Sequence, residues 1–238
     1  MGGKQNENTK SCSESHRHDT VGTGVCPDTI HRVEEKLIMQ VEIEVKFTDL
    51  NIEDVRARLE KAGAHLEQPM RDMRRALIEE DHHAAENMFI RIRDEGDKIT
   101  LCLKKKTKSL KESAIDSTFE TETTVGDFDK TVELFSVAGW NYTTYQESRR
   151  ETWNLDDVEV VIDEWPWINP YIEIEGHSEE SVRAAAKKLG YDWETAMFGS
   201  VDVIYNRDYP DMTVRGVIDI KEVRFADPVP KEFGARKV

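Results

Sequence analysis

Val41-Glu-Ile-Glu-Val-Lys46 alternates apolar and charged residues at every step. In a β-strand alternate side chains share a face, so Glu42, Glu44 and Lys46 project to one side and Ile43 to the other. The acidic doublet recurs as Glu120 and Glu122 in Phe119-Glu-Thr-Glu-Thr123, and as Glu173 and Glu175 in Ile172-Glu-Ile-Glu175. A helix-like stretch ending at glycine follows each time. Like charges on one strand face persist cheaply only in open water or with cations between them. The apolar residues opposite mark these strands as structural, and the combination points to a metal-binding interior.

Outward from that strand, caps and periodicity predict helices over Ile52–Ala62, Phe128–Ala138 and Glu179–Leu189. Asn51 and Ser178 stand at N-cap positions, and Gly63, Gly139 and Gly190 follow the three ends. A further short helix is expected within Phe198–Tyr205. Strand-like segments cover Met73–Glu79, Met88–Arg93, Lys98–Lys104, Thr118–Thr124, Tyr145–Trp153, Val158–Asp163 and Tyr171–Glu175, which with the strand at Val41 makes eight. Asp94-Glu-Gly-Asp97 and Leu155-Asp-Asp157 read as tight turns, so the strands they join are antiparallel neighbours. The expected fold is α+β: an eight-stranded, mostly antiparallel β-barrel or tunnel with helices packed outside.

Composition sets the surroundings of that barrel. The first residues, 1–37, are rich in Ser, Thr, Asn, His, Gly and Lys without apolar periodicity and read as a disordered tail. The barrel domain is expected over 38–210, with a C-terminal tail over 211–238. A net charge of −15 opposes nonspecific attraction to nucleic acid or an anionic membrane. No apolar run approaches the ~20 residues of a membrane span, and Asn6 stands where an N-terminal acylation signal favours Ser or Thr. Three scattered cysteines and no secretory signal fit a reducing, cytoplasmic setting.

The charged residues divide by sign. Arg91 and Arg93 share a strand face, as do Cys102, Lys104 and Lys106 on the next strand. In Glu147-Ser-Arg-Arg-Glu-Thr-Trp153 either Arg149 or Arg150 points inward, and parity leaves the choice open. Asp163 closes its own strand. Carboxylates and cations converging on one lumen could not be buried unaided. Together they suit a polyphosphate with divalent metal, because Arg and Lys take nonbridging oxygens while hard Mg²⁺ or Mn²⁺ ions bridge glutamate and phosphate.

In this order the residues resemble the CYTH superfamily, the triphosphate tunnel metalloenzymes. Glu42-Ile-Glu-Val-Lys46 matches the E-x-E-x-K signature, and the match continues through Arg91-Ile-Arg93, Lys104, Glu120 and Glu122, the arginines at 149 and 150, Asp163 and Glu173-Ile-Glu175. The resemblance implies that Glu42, Glu44, Asp163, Glu173 and Glu175 hold the metals, with Glu42, Glu44 and Lys46 as the catalytic set. It implies that Lys46, Arg91, Arg93, Lys104 and Arg149 or Arg150 bind the triphosphate, and that Glu120 and Glu122 serve as metal ligands or organise the basic residues. Ser148 and the Ser117-Thr-Phe119 approach depart from the basic residues members often carry there, and Asn169 stands for a glycine. The expected activity is a metal-dependent phosphohydrolase acting on a triphosphate-containing small molecule. The alternatives are a class IV adenylyl cyclase, against which the absence of a histidine-phenylalanine element counts, or a noncatalytic polyphosphate-binding or nucleotide-binding module. A homodimer stays open.

Other features have plainer readings. His82 and His83 are expected in an exposed loop, and His16 and His18 in the tail. The lysines beyond Lys104 read as a solvated hairpin end, Trp153, Trp165 and Trp167 as packing at the barrel mouth, and Cys102 as a small filler.

Overall fold

In the computed structural model, residues 43–107 and 117–237 are described. The chain divides into units Met1–Leu37 and Ile38–Val238, and every described residue belongs to the second. The expected N-terminal tail, Glu42, Lys108 and Lys111 lie outside the described residues.

Eight strands pair antiparallel in one continuous path: β1 (Ile43–Phe47), β2 (His65–Ile78), β3 (Met88–Asp94), β4 (Ile99–Thr107), β5 (Ser117–Val125), β6 (Thr144–Leu155), β7 (Val158–Glu164) and β8 (Tyr171–Gly176). Their spatial order is β1-β8-β7-β6-β2-β3-β4-β5. A ninth strand, β9 (Glu222–Val223), joins β6 in parallel. No pairing of β1 with β5 closes the path among the described residues. All eight strands of the path nevertheless line one cavity of about 800 Å³, so the sheet curls into a tunnel wall.

Capping chemistry sets where the helices begin. Asn51, Asp127 and Ser178 each accept a hydrogen bond from the backbone N–H three residues on, opening α1 (Ile52–Lys61), α3 (Phe128–Val137) and α4 (Glu179–Lys188). Gly190 ends α4 at φ 80°, a conformation that other residues adopt at a cost. Two shorter helices, α2 (Asp81–Ala85) and α5 (Asp202–Asp208), complete the α-helices of the described residues.

The outer face of the sheet carries the apolar halves of the strands. Val45, Ile172 and Ile174 pack there against Leu59 of α1 and Val182 of α4. Ala76, Ile90 and Ile92 pack against Phe128 of α3. A third cluster gathers Trp165, Tyr171, Tyr205, Tyr209, Val217, Val223 and Phe233. Val217, Val223 and Phe233 bring into it the segment 211–237, expected as a tail, which instead packs on the sheet. The Tyr205 hydroxyl donates to the Pro166 carbonyl at 2.7 Å, the Tyr209 hydroxyl to the Trp167 carbonyl at 2.6 Å, and the Trp167 indole to the Asp227 carbonyl at 2.8 Å.

Two local expectations are corrected. β2 begins eight residues earlier than its alternation indicates, because its first half tolerates Pro69 through register shifts against β6 between Leu66 and Arg71. His83 is buried on α2, where it meets Trp140 edge-on and its Nδ1 accepts from the Glu80 N–H; His82 is exposed. No helix of the described residues is long and apolar enough to cross a membrane.

Phe233 is fully buried against the rings of Trp167, Tyr205 and Tyr209. Phe233→Ala should therefore lower unfolding free energy by about 3–5 kcal/mol in a urea titration, whereas a loosely attached C-terminal segment would leave the midpoint unchanged.

Candidate functional site

Strand alternation decides which side chains reach the cavity. β1 contributes Glu44 and Lys46; β8 contributes Tyr171, Glu173 and Glu175; β7 contributes Glu159 and Asp163; β6 contributes Gln146 and Arg150. Across the lumen stand Arg75 of β2, Arg91 and Arg93 of β3, Lys104 of β4, and Glu120 and Glu122 of β5. Trp165 and the turn Phe198–Asp202 complete the wall with Val217 and Ile218.

On the first side the charges form a continuous ladder. Lys46 Nζ, 1% exposed, lies 2.7 Å from Glu44 Oε1 and 3.1 Å from Glu173 Oε1. Glu173 Oε2 accepts from Arg150 at 2.9 Å, and Arg150 grips both Asp163 oxygens at 2.7 and 2.6 Å. The Tyr171 hydroxyl also donates to Asp163, at 3.3 Å. Burial alone would pull the Lys46 ammonium down, but Glu173 and Glu44 outweigh it and hold its pKa above the ordinary value. Burial likewise works against the Glu173 carboxylate, and Lys46 and Arg150 reverse it, leaving its pKa lowered.

The opposite side is organised around Glu120. It accepts from Lys104 at 2.6 Å, from Arg91 at 3.3 Å and from the Cys102 thiol at 2.8 Å. Glu122 lies 3.7 Å from Arg91. Burial, then the bond to Glu120, pushes the Cys102 thiol up to about 12, so it stays protonated. Arg93 meets Glu95 at 2.6 Å. Arg75 donates to the neutral Gln146 amide at 2.7 Å, and burial with Arg91 and Arg93 beside it brings its guanidinium down to about 10. Arg91 Nε and Trp165 Nε1 are buried donors with no acceptor among the described residues.

The sequence candidates thus fall into groups. Glu44, Lys46, Arg91, Arg93, Lys104, Glu120, Glu122, Arg150, Asp163, Glu173 and Glu175 come together around the cavity. Arg149 does not. It stands on the outer face, bonded to Asp72 at 2.8 Å and Glu164 at 3.3 Å and stacked over Phe225. Its parity matches core-facing Trp153, a signal that could have made Arg150 the inward choice. Sequence reasoning missed Arg75, Glu159 and Gln146, all cavity residues on strand positions of inward parity.

Strand register groups three of the carboxylate candidates for metal. Glu44, Glu175 and Glu159 stand directly opposite one another on β1, β8 and β7, a row of hard oxygen donors suited to Mg²⁺ or Mn²⁺. Asp163 and Glu173 already have both oxygens engaged by cations or Tyr171. Cys102, Glu120 and Glu122 bring ligand atoms within 4.8 Å of one another, with Arg91 and Lys104 paired to Glu120 beside them.

The CYTH domain family matches residues 40–197. Among solved structures, the chain is similar to a Vibrio parahaemolyticus protein whose name offers adenylate cyclase as a candidate function (TM-score 0.58, 10% identity, covering 70% of this chain and 98% of that one). It is also similar to a conserved hypothetical protein of Pyrococcus furiosus (TM-score 0.54, 22% identity, 66% and 94% covered) and to a Pyrococcus horikoshii protein (TM-score 0.54, 21% identity, 66% and 94% covered). No curated protein matches the chain.

Glu173 and Glu120 both hold pKa values below the ordinary 4.5, so the stability they contribute is present above that pH and is lost as pH falls through their folded values. Glu173→Gln should flatten the acid limb of a pH-melting profile recorded in chelator. At neutral pH it should cost about 3–5 kcal/mol, since Lys46 and Arg150 lose a shared partner in a buried site. An unchanged profile would detach Glu173 from the ladder.

Proposed function

The chain belongs to the CYTH domain family, and from that premise we propose that it is a metal-dependent phosphohydrolase of inorganic or organic triphosphates, acting inside the tunnel. The observation that carries this reading is the basic wall: Arg75, Arg91, Arg93 and Lys104 face one lumen, and Arg91 retains a buried donor with no acceptor among the described residues. Clustered guanidiniums repel one another unless a polyanion lies among them.

Arg91, Arg93 and Lys104 bind nonbridging oxygens and hold the phosphate chain straight across the lumen. Lys46 and Arg150, fixed by Glu173 and Asp163, present positive charge from the opposite side without freedom to swing. Glu44, Glu175 and Glu159 fit a divalent ion by donor type and position, with Asp163 and Glu173 behind them. When bound, such an ion polarises phosphorus and activates water. Attack by water oxygen on the terminal phosphorus breaks the bridging P–O bond; its electron pair leaves on the departing phosphate chain, beside the basic wall. A carboxylate of the acidic row accepts the water proton. Catalysis of this kind rests on positioning and charge stabilisation, which the tunnel supplies from several strands at once.

Incubating the protein with Mg²⁺ or Mn²⁺ and tripolyphosphate, ATP or thiamine triphosphate tests the reading by its products. Orthophosphate release is expected; cyclic AMP with pyrophosphate would replace the reading by a cyclase, and binding without turnover by a noncatalytic module. Glu44→Gln should slow turnover at least about tenfold, equivalent to about 1.4 kcal/mol of barrier. An unaltered rate at limiting metal would remove Glu44 from the chemistry.

A further inference from the structure

Of the cationic side chains lining the cavity, Lys46, Arg91, Arg93, Lys104 and Arg150 each meet a carboxylate within 4 Å. Arg75 does not, among the described residues. Its Nε donates to Gln146 Oε1 at 2.7 Å, and its guanidinium carbon sits 4.5 Å from the centre of the Trp165 ring. The Gln146 amide cannot turn into a better partner. Its nitrogen is held by the Val217 carbonyl at 3.3 Å and Thr144 Oγ1 at 3.2 Å, which fixes the neutral oxygen toward Arg75.

The neighbours add to the imbalance. Arg75 stands directly opposite Arg93 in the β2–β3 register, and Arg91 lies on the same face. Asp202 and Glu173 attract Arg75 only from beyond ion-pair distance and do not offset its burial, so it remains the costly member of a like-charged group in a partly buried site. Trp165, 6% exposed, lines the same cavity, and its Nε1 has no acceptor among the described residues. Two adjacent donor groups therefore lack what an oxyanion provides. A charged oxygen fits here better than an organic ring, because the guanidinium already stacks on the indole.

We propose that Arg75 and Trp165 form a phosphoryl-binding subsite that sets affinity for the phosphate chain, with Arg75 the specificity-determining residue and Gln146 its positioning partner. The inference rests on the triphosphate reading of the tunnel and adds a contact to it. Val217, which anchors Gln146, lies beyond residues 40–197, so a segment outside the family match positions this subsite. A ligand whose charge extends through a third phosphoryl group gains most from it, and pyrophosphate gains less.

The test is calorimetric binding of inorganic tripolyphosphate and pyrophosphate to the full chain in EDTA, where hydrolysis is blocked, with ligand-free melting recorded alongside. Arg75→Gln should weaken tripolyphosphate binding at least about tenfold, as loss of a charge-assisted contact does, while changing pyrophosphate binding less. Its ligand-free melting point should equal or exceed the native value, because a buried cation without a carboxylate in ion-pair contact has gone. Trp165→Phe keeps the ring and removes only the N–H, and should weaken binding about threefold or more. Native binding that Arg75→Gln leaves unchanged overturns this inference alone. If Arg75→Gln melts lower as well as binding weakly, Trp165→Phe decides, and unaltered affinity there overturns it. A native chain that binds no tripolyphosphate overturns both this subsite and the function proposed above; binding without turnover in Mg²⁺ sinks only the hydrolase.

Discussion

Lys46 cannot be buried alone. The ammonium of a side chain only 1% exposed survives at neutral pH because Glu44 and Glu173 meet it from neighbouring positions on β1 and β8. Glu173 in turn shares Arg150 with Asp163, so each charge on that side of the tunnel is held by the next. Strand register makes this arrangement: Lys46 lies opposite Glu173, and Arg150 opposite Asp163. A slip of one residue would turn the ladder outward and bring Ile172 and Ile174 into the lumen. The apolar core beneath α1 and α4 and the charged lumen are thus two faces of one alternation.

The two sides of the tunnel are not equivalent. Around β1, β8 and β7 acids outnumber the cations that neutralise them, and the row Glu44, Glu175 and Glu159 offers oxygens to hard cations. Around β2 and β3 the guanidiniums predominate, and donors on Arg91 and Trp165 have no acceptors among the described residues. Opposite excesses facing one another across a lumen suit a phosphate chain bridging metal and arginine. Folding supplies the rigid half of that contact in advance, which is how electrostatic positioning gains its effect.

Much of this was legible because short-range chemistry decided it. The Glu-x-Glu doublets marked the inward faces, and Asn51, Ser178 and the glycines after the helices marked their ends. What escaped depended on partners distant in sequence. Pro69 and the irregular register hid the first half of β2. Arg74 and Arg75 look alike in sequence, yet Arg74 turns out to Asp94 and Asp129 while Arg75 turns in. His83 is buried by Trp140, more than fifty residues away. The segment 211–237 shows no periodicity because isolated residues such as Phe233 anchor it.

The most direct measurement is a crystal structure of the full chain grown with tripolyphosphate and Mg²⁺ under conditions that slow turnover. The account predicts phosphate density inside the cavity, with oxygens within hydrogen-bonding distance of Arg91 and cation density beside Glu44 and Glu175. Phosphate bound only on the outer surface, with the lumen side chains still paired solely to one another, would contradict it.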